Sequence, residues 1–341
     1  MSAALDLIQQ YSRTALAQLP APAQQLLQNP IAQKAAGALL GLRALRAINN
    51  SLSQWTSNNW TCNQRWDSSK ELVLLTGGCS GIGKQVMEDL AQKGVRVMVL
   101  DIVEPTFELP ATVSFYRTDI TSSESIAEVA KQIRKDHGEP TVLINNAGVG
   151  NEGTILSKPE AKIRQTFEVN TISHFLTVRE FIPAMIRANH GHVITVASMA
   201  SFVGLVEIAD YSCSKASALA FHESLRQELR HYYNAPRVRT SIIHPYWVRT
   251  PMIKVLTDHE QYYGEPIMTV QEVSDAICKQ VFTQNSGQII IPSRLAIGSM
   301  LRGLPTWVQE LARSRESVKF LYMRTQQQRI EREAKEAQST D

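Results

Sequence analysis

Long hydrophobic runs are missing from this 341-residue chain. The stretch Ala35–Leu42 is far shorter than the roughly 20 apolar residues that cross a bilayer, so a spanning helix is not expected there. Cysteine is scarce as well. Cys62, Cys79, Cys213 and Cys278 are scattered without paired metal-ligand spacing, which points to no metal site and favours reduced thiols inside the cell, although spacing alone does not decide a disulfide. Charge of one sign is also lacking, since 35 basic against 32 acidic residues leave +3, too little to imply nucleic-acid binding. Residues 1–30 are polar and alanine-rich, with prolines at 20, 22 and 30. They have neither the basic start nor the continuous apolar core of a secretory signal. No tandem repeat is present. A hydrophobic share of 43% nevertheless suffices for a sizeable core, which excludes wholesale disorder.

One amphipathic segment precedes the core. Ile31, Ala35, Ala38, Leu39, Leu42, Leu45 and Ile48 fall near one helical face, while Gln33, Lys34, Arg43 and Arg46 fall mostly elsewhere. A helix lying on a membrane surface and a helix packed on the protein both fit this pattern. Trp55, Trp60 and Trp66 fit either interfacial anchoring or ordinary packing.

From residue 71 the period changes. Residues 71–75 read as a buried strand, 83–93 as a helix and 95–100 as a second strand, a dinucleotide-binding β-α-β unit. Helices are expected over about 123–137, 159–187 and 210–232, and strands over 141–144, 192–197, 239–243 and 288–291. This alternation predicts an α/β fold, a Rossmann-like doubly wound parallel sheet with terminal helical extensions. The division is an extension over 1–70, a catalytic domain over 71–293, and a helical segment with a polar tail over 294–341.

Between the first strand and helix lies Thr76-Gly-Gly-Cys-Ser-Gly-Ile-Gly83. Gly77, Gly81 and Gly83 permit a sharp turn and close approach of a pyrophosphate, and the helix terminus behind them is electropositive. Asp101 ends the second strand, where a carboxylate accepts hydrogen bonds from the adenosine ribose and repels a 2′-phosphate. Neither Ser80 nor Ile102 offers a compensating cation, so NAD(H) is the expected cofactor. Tyr211 and Lys215 stand four residues apart on one helical face. Tyrosine ionises near pKa 10, too high for general-base work at neutral pH without help, and Lys215 supplies that help electrostatically.

These features occur in order with Asn145-Asn-Ala-Gly148, Asn170, Ser198 and Pro245-Tyr-Trp-Val-Arg-Thr250. The chain thereby resembles the short-chain dehydrogenase/reductase family over roughly residues 71–293, and its layout is similar to the membrane-associated retinol and 17-beta-hydroxysteroid dehydrogenase branch. The resemblance implies a catalytic set of Asn170, Ser198, Tyr211 and Lys215. It implies cofactor contacts at Gly77, Ser80, Gly81, Ile82, Gly83, Asp101, Asp119, Ile120, Asn146, Ala147, Gly148, Tyr211, Lys215, Pro245, Val248 and Thr250. A strand-end cap is the competing role for Asp119, and a satisfied helix-distorting asparagine that for Asn170. Tyr246 departs from the family pattern, which usually has glycine there.

Other expectations concern surroundings. His244 is expected to make a core or loop hydrogen bond, and Cys213 to lie off the Tyr211–Lys215 face. Met252, Ile253, Val255, Leu256, Tyr262, Tyr263, Ile267 and Met268 form a candidate apolar lid, with plain packing as the alternative. Residues 294–325 fit either a membrane or substrate-access surface or an accessory helix. The implied activity is NAD-dependent interconversion of an apolar alcohol and its carbonyl, in a homodimer at the endoplasmic reticulum or lipid droplets. A soluble, cytosolic carbonyl reductase and a noncatalytic NAD-binding interaction protein are the alternatives.

Overall fold

The computed structural model describes residue 20 and residues 29–258, 260–263 and 266–338, with side chains described at all but 255, 263, 331 and 333–338. The polar stretch over 1–30 therefore falls almost wholly outside the described residues. The chain divides into two compact units, Met1–Thr56 and Ser57–Asp341. In the first, the described structure is helix α1 (Pro30–Ser57), longer than the expected 31–48. Leu52 and Trp55 continue the helical spacing from Ile48, and no glycine or proline intervenes before the left-handed pair Asn59 (φ 55°) and Trp60 (φ 57°). Among the described residues, no helix is long and apolar enough to cross a membrane.

The second unit is built on a seven-stranded, wholly parallel sheet of order β3-β2-β1-β4-β5-β6-β7. Its strands are β1 (Leu72–Thr76), β2 (Arg96–Asp101), β3 (Val113–Arg117), β4 (Val142–Asn145), β5 (Gly191–Val196), β6 (Val238–Pro245) and β7 (Gly287–Ile291). Continuous apolar strands arise because both faces are covered. In β1, Val73 and Leu75 pack with Val86 and Leu90 of α2 (Gly81–Gln92) and with Ile277 of α7 (Val270–Thr283). Leu72 and Leu74 point the other way, joining Ile126 and Ile133 of α3 (Ser123–Asp136) and Phe181 of α5 (Ser173–Ala188). Each fully buried leucine contributes about 2 kcal/mol of transfer free energy.

Helix boundaries follow local chemistry. Ser122 caps α3 by accepting from Ser125 N–H at 3.1 Å, and Thr269 with Glu272 forms a reciprocal capping box on α7. The region expected as one helix over 159–187 is α4 (Glu160–Phe167), a π turn (Glu168–Ile172) and α5. The 210–232 expectation is α6 (Ala209–Gln227) continued by a second π turn, Glu228–Tyr232. Beyond β7, a 3₁₀ segment (Ser293–Gly303) leads into the long α8 (Thr306–Gln338).

Strand order reverses between β1 and β4, which opens a crevice at the carboxyl ends of the strands. Residues 58–63 are fastened at the opposite end. There the Arg239 guanidinium donates to the Asn58 carbonyl at 2.7 Å and the Cys62 carbonyl at 3.0 Å, and Ser286 N–H donates to Asn58 Oδ1 at 2.8 Å. Trp66 packs edge-on against Phe282 with centroids 5.4 Å apart, so it fills a groove of the core.

Candidate active site

The crevice holds a cleft of about 940 Å³. Its first half is made largely of backbone. Gly77 (φ 69°) and Gly81 (φ 53°) take left-handed conformations that fold the β1–α2 turn back on itself. A Cβ on Gly77 would stand 2.8 Å from Ala147 Cα, and one on Gly83 only 2.0 Å from the Gly77 carbonyl oxygen. Ser80 occupies the N-cap of α2 without a side-chain capping bond, so the hydroxyl leaves the first-turn N–H groups available for an anion. The Asn146 side-chain amide donates to the Thr76 and Gly77 carbonyls at 3.0 Å each, and the Asn146 and Ala147 N–H groups both donate to Thr76 Oγ1. The end of β4 is thereby stapled to the turn after β1.

Asp101 sits at the end of β2, accepting from Cys79 N–H at 2.9 Å and Val103 N–H at 3.1 Å. Burial together with this carboxylate pushes the Cys79 thiol up to about 12, which leaves it unreactive. Asp119 accepts from Thr121 N–H and Oγ1 at 2.9 and 2.7 Å, capping the strand end while lining the cleft. The glycine cradle, the uncapped helix terminus and the Asp101 acceptor fit a dinucleotide.

The second half is apolar. Val203, Leu205, Ile208, Ile253, Leu256 and Phe320 line it, and Tyr211, Lys215 and Ser198 line the same cleft. Ser198 caps the 3₁₀ turn Met199–Ser201 by accepting from Ala200 N–H at 3.1 Å, and its carbonyl accepts from His244 Nδ1 at 2.9 Å. The bond expected at His244 thus holds the backbone of Ser198. Burial raises the Tyr211 phenol above its usual range, and a hydrogen bond with Ser198 opposes that rise. Lys215 Nζ donates to the Val196 carbonyl at 2.9 Å and lies 5.6 Å from the Tyr211 ring centroid. Burial brings its ammonium down to about 8.

Every cofactor position expected from the sequence lines the cleft except Gly83, which works from behind by packing on Gly77. Asn170 also stands behind the wall. It occupies the π turn before α5, with Oδ1 accepting from Val149 N–H and Nδ2 donating to the Val149 carbonyl, both at 2.8 Å. Its second amide hydrogen goes to Ser214 Oγ at 3.1 Å, and Ser214 Oγ donates to the Tyr211 carbonyl at 2.8 Å. A π turn is a frequent device at functional sites because it redirects side chains out of helical register. Here it ties the loop after β4 to α6.

The lid expectation divides. Met252, Ile253 and Leu256 line the cleft, whereas Ile267 and Met268 are buried beneath it in the packing of the core. The Val255 and Tyr263 side chains lie outside the described residues. Val248 bridges Met268, and Met268 N–H donates to the Trp247 carbonyl at 2.9 Å, so this loop is pinned from below. Phe320, carried by α8 in the 294–325 segment expected as either a substrate-access surface or an accessory helix, also lines the cleft.

Residues 71–261 match the short chain dehydrogenase family. The chain belongs to the short-chain dehydrogenase family. It is 41% identical over 201 residues to Dehydrogenase RED2 of Cochliobolus heterostrophus (strain C4 / ATCC 48331 / race T), a match covering 58% of this chain and 76% of that one. It is 32% identical over 259 residues to human (Homo sapiens) Estradiol 17-beta-dehydrogenase 11, covering 73% and 84% respectively. Among solved structures it shares the fold of a 4-hydroxyisoleucine dehydrogenase complexed with NADH, at TM-score 0.58 and 21% identity, over 65% of this chain and 96% of that one. The protein is therefore a dehydrogenase-family oxidoreductase, similar to a 17-beta-dehydrogenase, with the fold of a nicotinamide-cofactor dehydrogenase.

Proposed function

We propose that the protein is an NAD-dependent alcohol dehydrogenase or carbonyl reductase for an apolar primary or secondary alcohol, such as a retinoid, a steroid or another lipid. The observation that carries this reading is that Tyr211, Lys215 and Ser198 line one cleft together with the glycine turn and a set of apolar side chains. The name of the human relative, an estradiol dehydrogenase, supports an apolar substrate.

The nicotinamide cofactor, when bound, supplies the hydride acceptor for oxidation or the donor for reduction. The turn Gly77–Gly83 and the start of α2, including Ile82, would hold its phosphates. Asp101 would hold the adenosine ribose, Asp119 and Ile120 the adenine side, and Asn146, Ala147 and Gly148 the opposite wall. Pro245, Val248 and Thr250 would orient the carboxamide end. In oxidation Tyr211 takes the alcohol proton, and in reduction it returns one. Ser198 donates to the reacting oxygen, placing a preorganised dipole where charge develops. Lys215 favours the tyrosinate through its positive charge. Asn170 acts by positioning, because its amide is committed to Val149 and Ser214.

Association with a lipid surface and homodimerisation through α4–α5 and α6 belong to the same proposal. In α1, Ile31, Leu39, Leu42, Leu45 and Ile48 are exposed, and Ile172 and Phe175 are exposed near the start of α5. The deciding experiment is a panel of retinoid, steroid and aliphatic alcohols with matched NAD⁺ and NADP⁺, followed by cofactor reduction and product identification. Turnover of apolar alcohols with NAD⁺ favoured is expected. Equal or better use of NADP⁺ contradicts the Asp101 argument, and absence of turnover contradicts the substrate class. Flotation with vesicles, with and without residues 1–50, and sedimentation across micromolar concentrations read the lipid and dimer parts on the same preparation.

A further inference from the structure

The apolar half of the cleft is closed by a segment beyond the family-matched residues 71–261. Along α8, Glu316, Phe320, Met323 and Gln327 recur at the three- and four-residue spacing of one helical face. Phe320 and Met323 are 3% and 0% exposed. The Phe320 ring lies parallel to the Trp247 indole, with centroids 5.9 Å apart and planes at 9°. The neighbouring Tyr246 donates its phenolic hydrogen to Glu316 Oε2 at 3.1 Å. The residue that departs from the family's glycine therefore grips α8.

One turn beyond Phe320, Arg324 reaches two loops at once. Its Nη1 pairs with Glu152 Oε2 at 2.7 Å and its Nε with Glu207 Oε2 at 3.2 Å. Glu207 holds a left-handed backbone (φ 64°), a conformation that is strained in a non-glycine residue and persists only when its surroundings hold it. Its carbonyl accepts from Gly153 N–H at 3.0 Å, which joins the two loops to each other. Lys158 extends the lacing to α6. It donates to the Asn151 carbonyl at 2.6 Å and pairs, fully buried, with Asp210, the residue before Tyr211.

We infer that Phe320 is a specificity-determining residue that sets the far wall of the substrate compartment, and that Arg324 is the positioning residue that fixes this wall to loops 149–158 and 203–209. The substrate part rests on the alcohol-oxidising reading of the cleft; the clamp is a property of the fold alone. Removing the Arg324 cation leaves the Glu152 and Glu207 carboxylates close together without their shared partner, so both loops and α8 lose the same restraint.

The test combines backbone hydrogen exchange with kinetics on aliphatic alcohols of increasing length, using the full chain and the variants Phe320→Ala, Arg324→Gln and Arg324→Lys. Arg324→Gln is expected to speed exchange in 149–158, 203–209 and 316–324 together. It should also raise KM for long alcohols about tenfold, the scale of one lost charge-assisted contact, with a smaller change in kcat. Arg324→Lys should restore part of both effects. Phe320→Ala should raise kcat/KM for the longest alcohols relative to the shortest by about tenfold, as expected for a pocket enlarged by several methylenes. Unaltered loop exchange in Arg324→Gln overturns the clamp, and an unaltered length profile in Phe320→Ala overturns the wall. A wild-type chain that oxidises no alcohol overturns the substrate reading of the cleft, while the exchange pattern still decides the clamp.

Discussion

The two halves of the cleft are built from different materials. The cofactor half consists of backbone brought close: glycines at 77, 81 and 83, and an asparagine at 146 whose amide is spent on two carbonyls. The substrate half consists of side chains delivered by the loop after β5, the loop after β6 and α8. Backbone approach tolerates few residue types, so the first half leaves a local signature in the sequence. An apolar wall accepts many residues of suitable volume, so the second leaves none.

Gly83→Ala breaks the cofactor half most severely. Its new methyl would lie 2.0 Å from a backbone oxygen, and neither the turn nor α2 can yield without displacing the other. Loss of measurable NAD(H) binding is expected in a calorimetric titration, with overpacking lowering stability by about 1–3 kcal/mol. Binding at the wild-type level would show that the turn relaxes freely, and the contrast between the halves would lose its basis.

This contrast also explains what could be read beforehand. The parallel sheet was legible because β1 and β2 are continuous apolar runs with turn residues between them and α2. The Tyr211–Lys215 pair was legible because helical spacing alone sets the two on one face. The partner of Asn170 was not, since its link to Ser214 crosses from a π turn to α6 and depends on tertiary contact. The departure at Tyr246 was visible, but its partner Glu316 lies on a helix whose docking no local pattern specifies. The lid candidates divide for a related reason: apolar spacing does not distinguish Leu256, which lines the cleft, from Met268, which is buried in the core.

Lys215, which lines the same cleft, allows a smaller effect with two opposite signs. Its ammonium is buried and falls from 10.5 to about 8, so the unfolded chain binds that proton more tightly. Stability from this group should therefore rise as pH climbs from about 8 towards 10.5, and below that window the buried charge costs up to about 3 kcal/mol. Lys215→Met should lower turnover by about 10²-fold, at the low end for loss of acid–base assistance. Its thermal midpoint near pH 7 should rise by a few degrees, because relief of the buried charge outweighs the lost bond to the Val196 carbonyl. Unfolding curves of both proteins across this pH range check the sign. A midpoint that falls instead would mean that the hydrogen bond dominates and that the lysine is a structural post.

The central claim, that Tyr211 moves the proton in a cleft whose cofactor half stands independently of it, is tested most directly by Tyr211→Phe. Turnover of a verified apolar alcohol and NAD(H) binding are measured on the same preparation. The account predicts turnover lower by about 10³-fold with cofactor binding retained, since the ring stays and only the transferable hydroxyl is gone. Turnover at the wild-type level would contradict it.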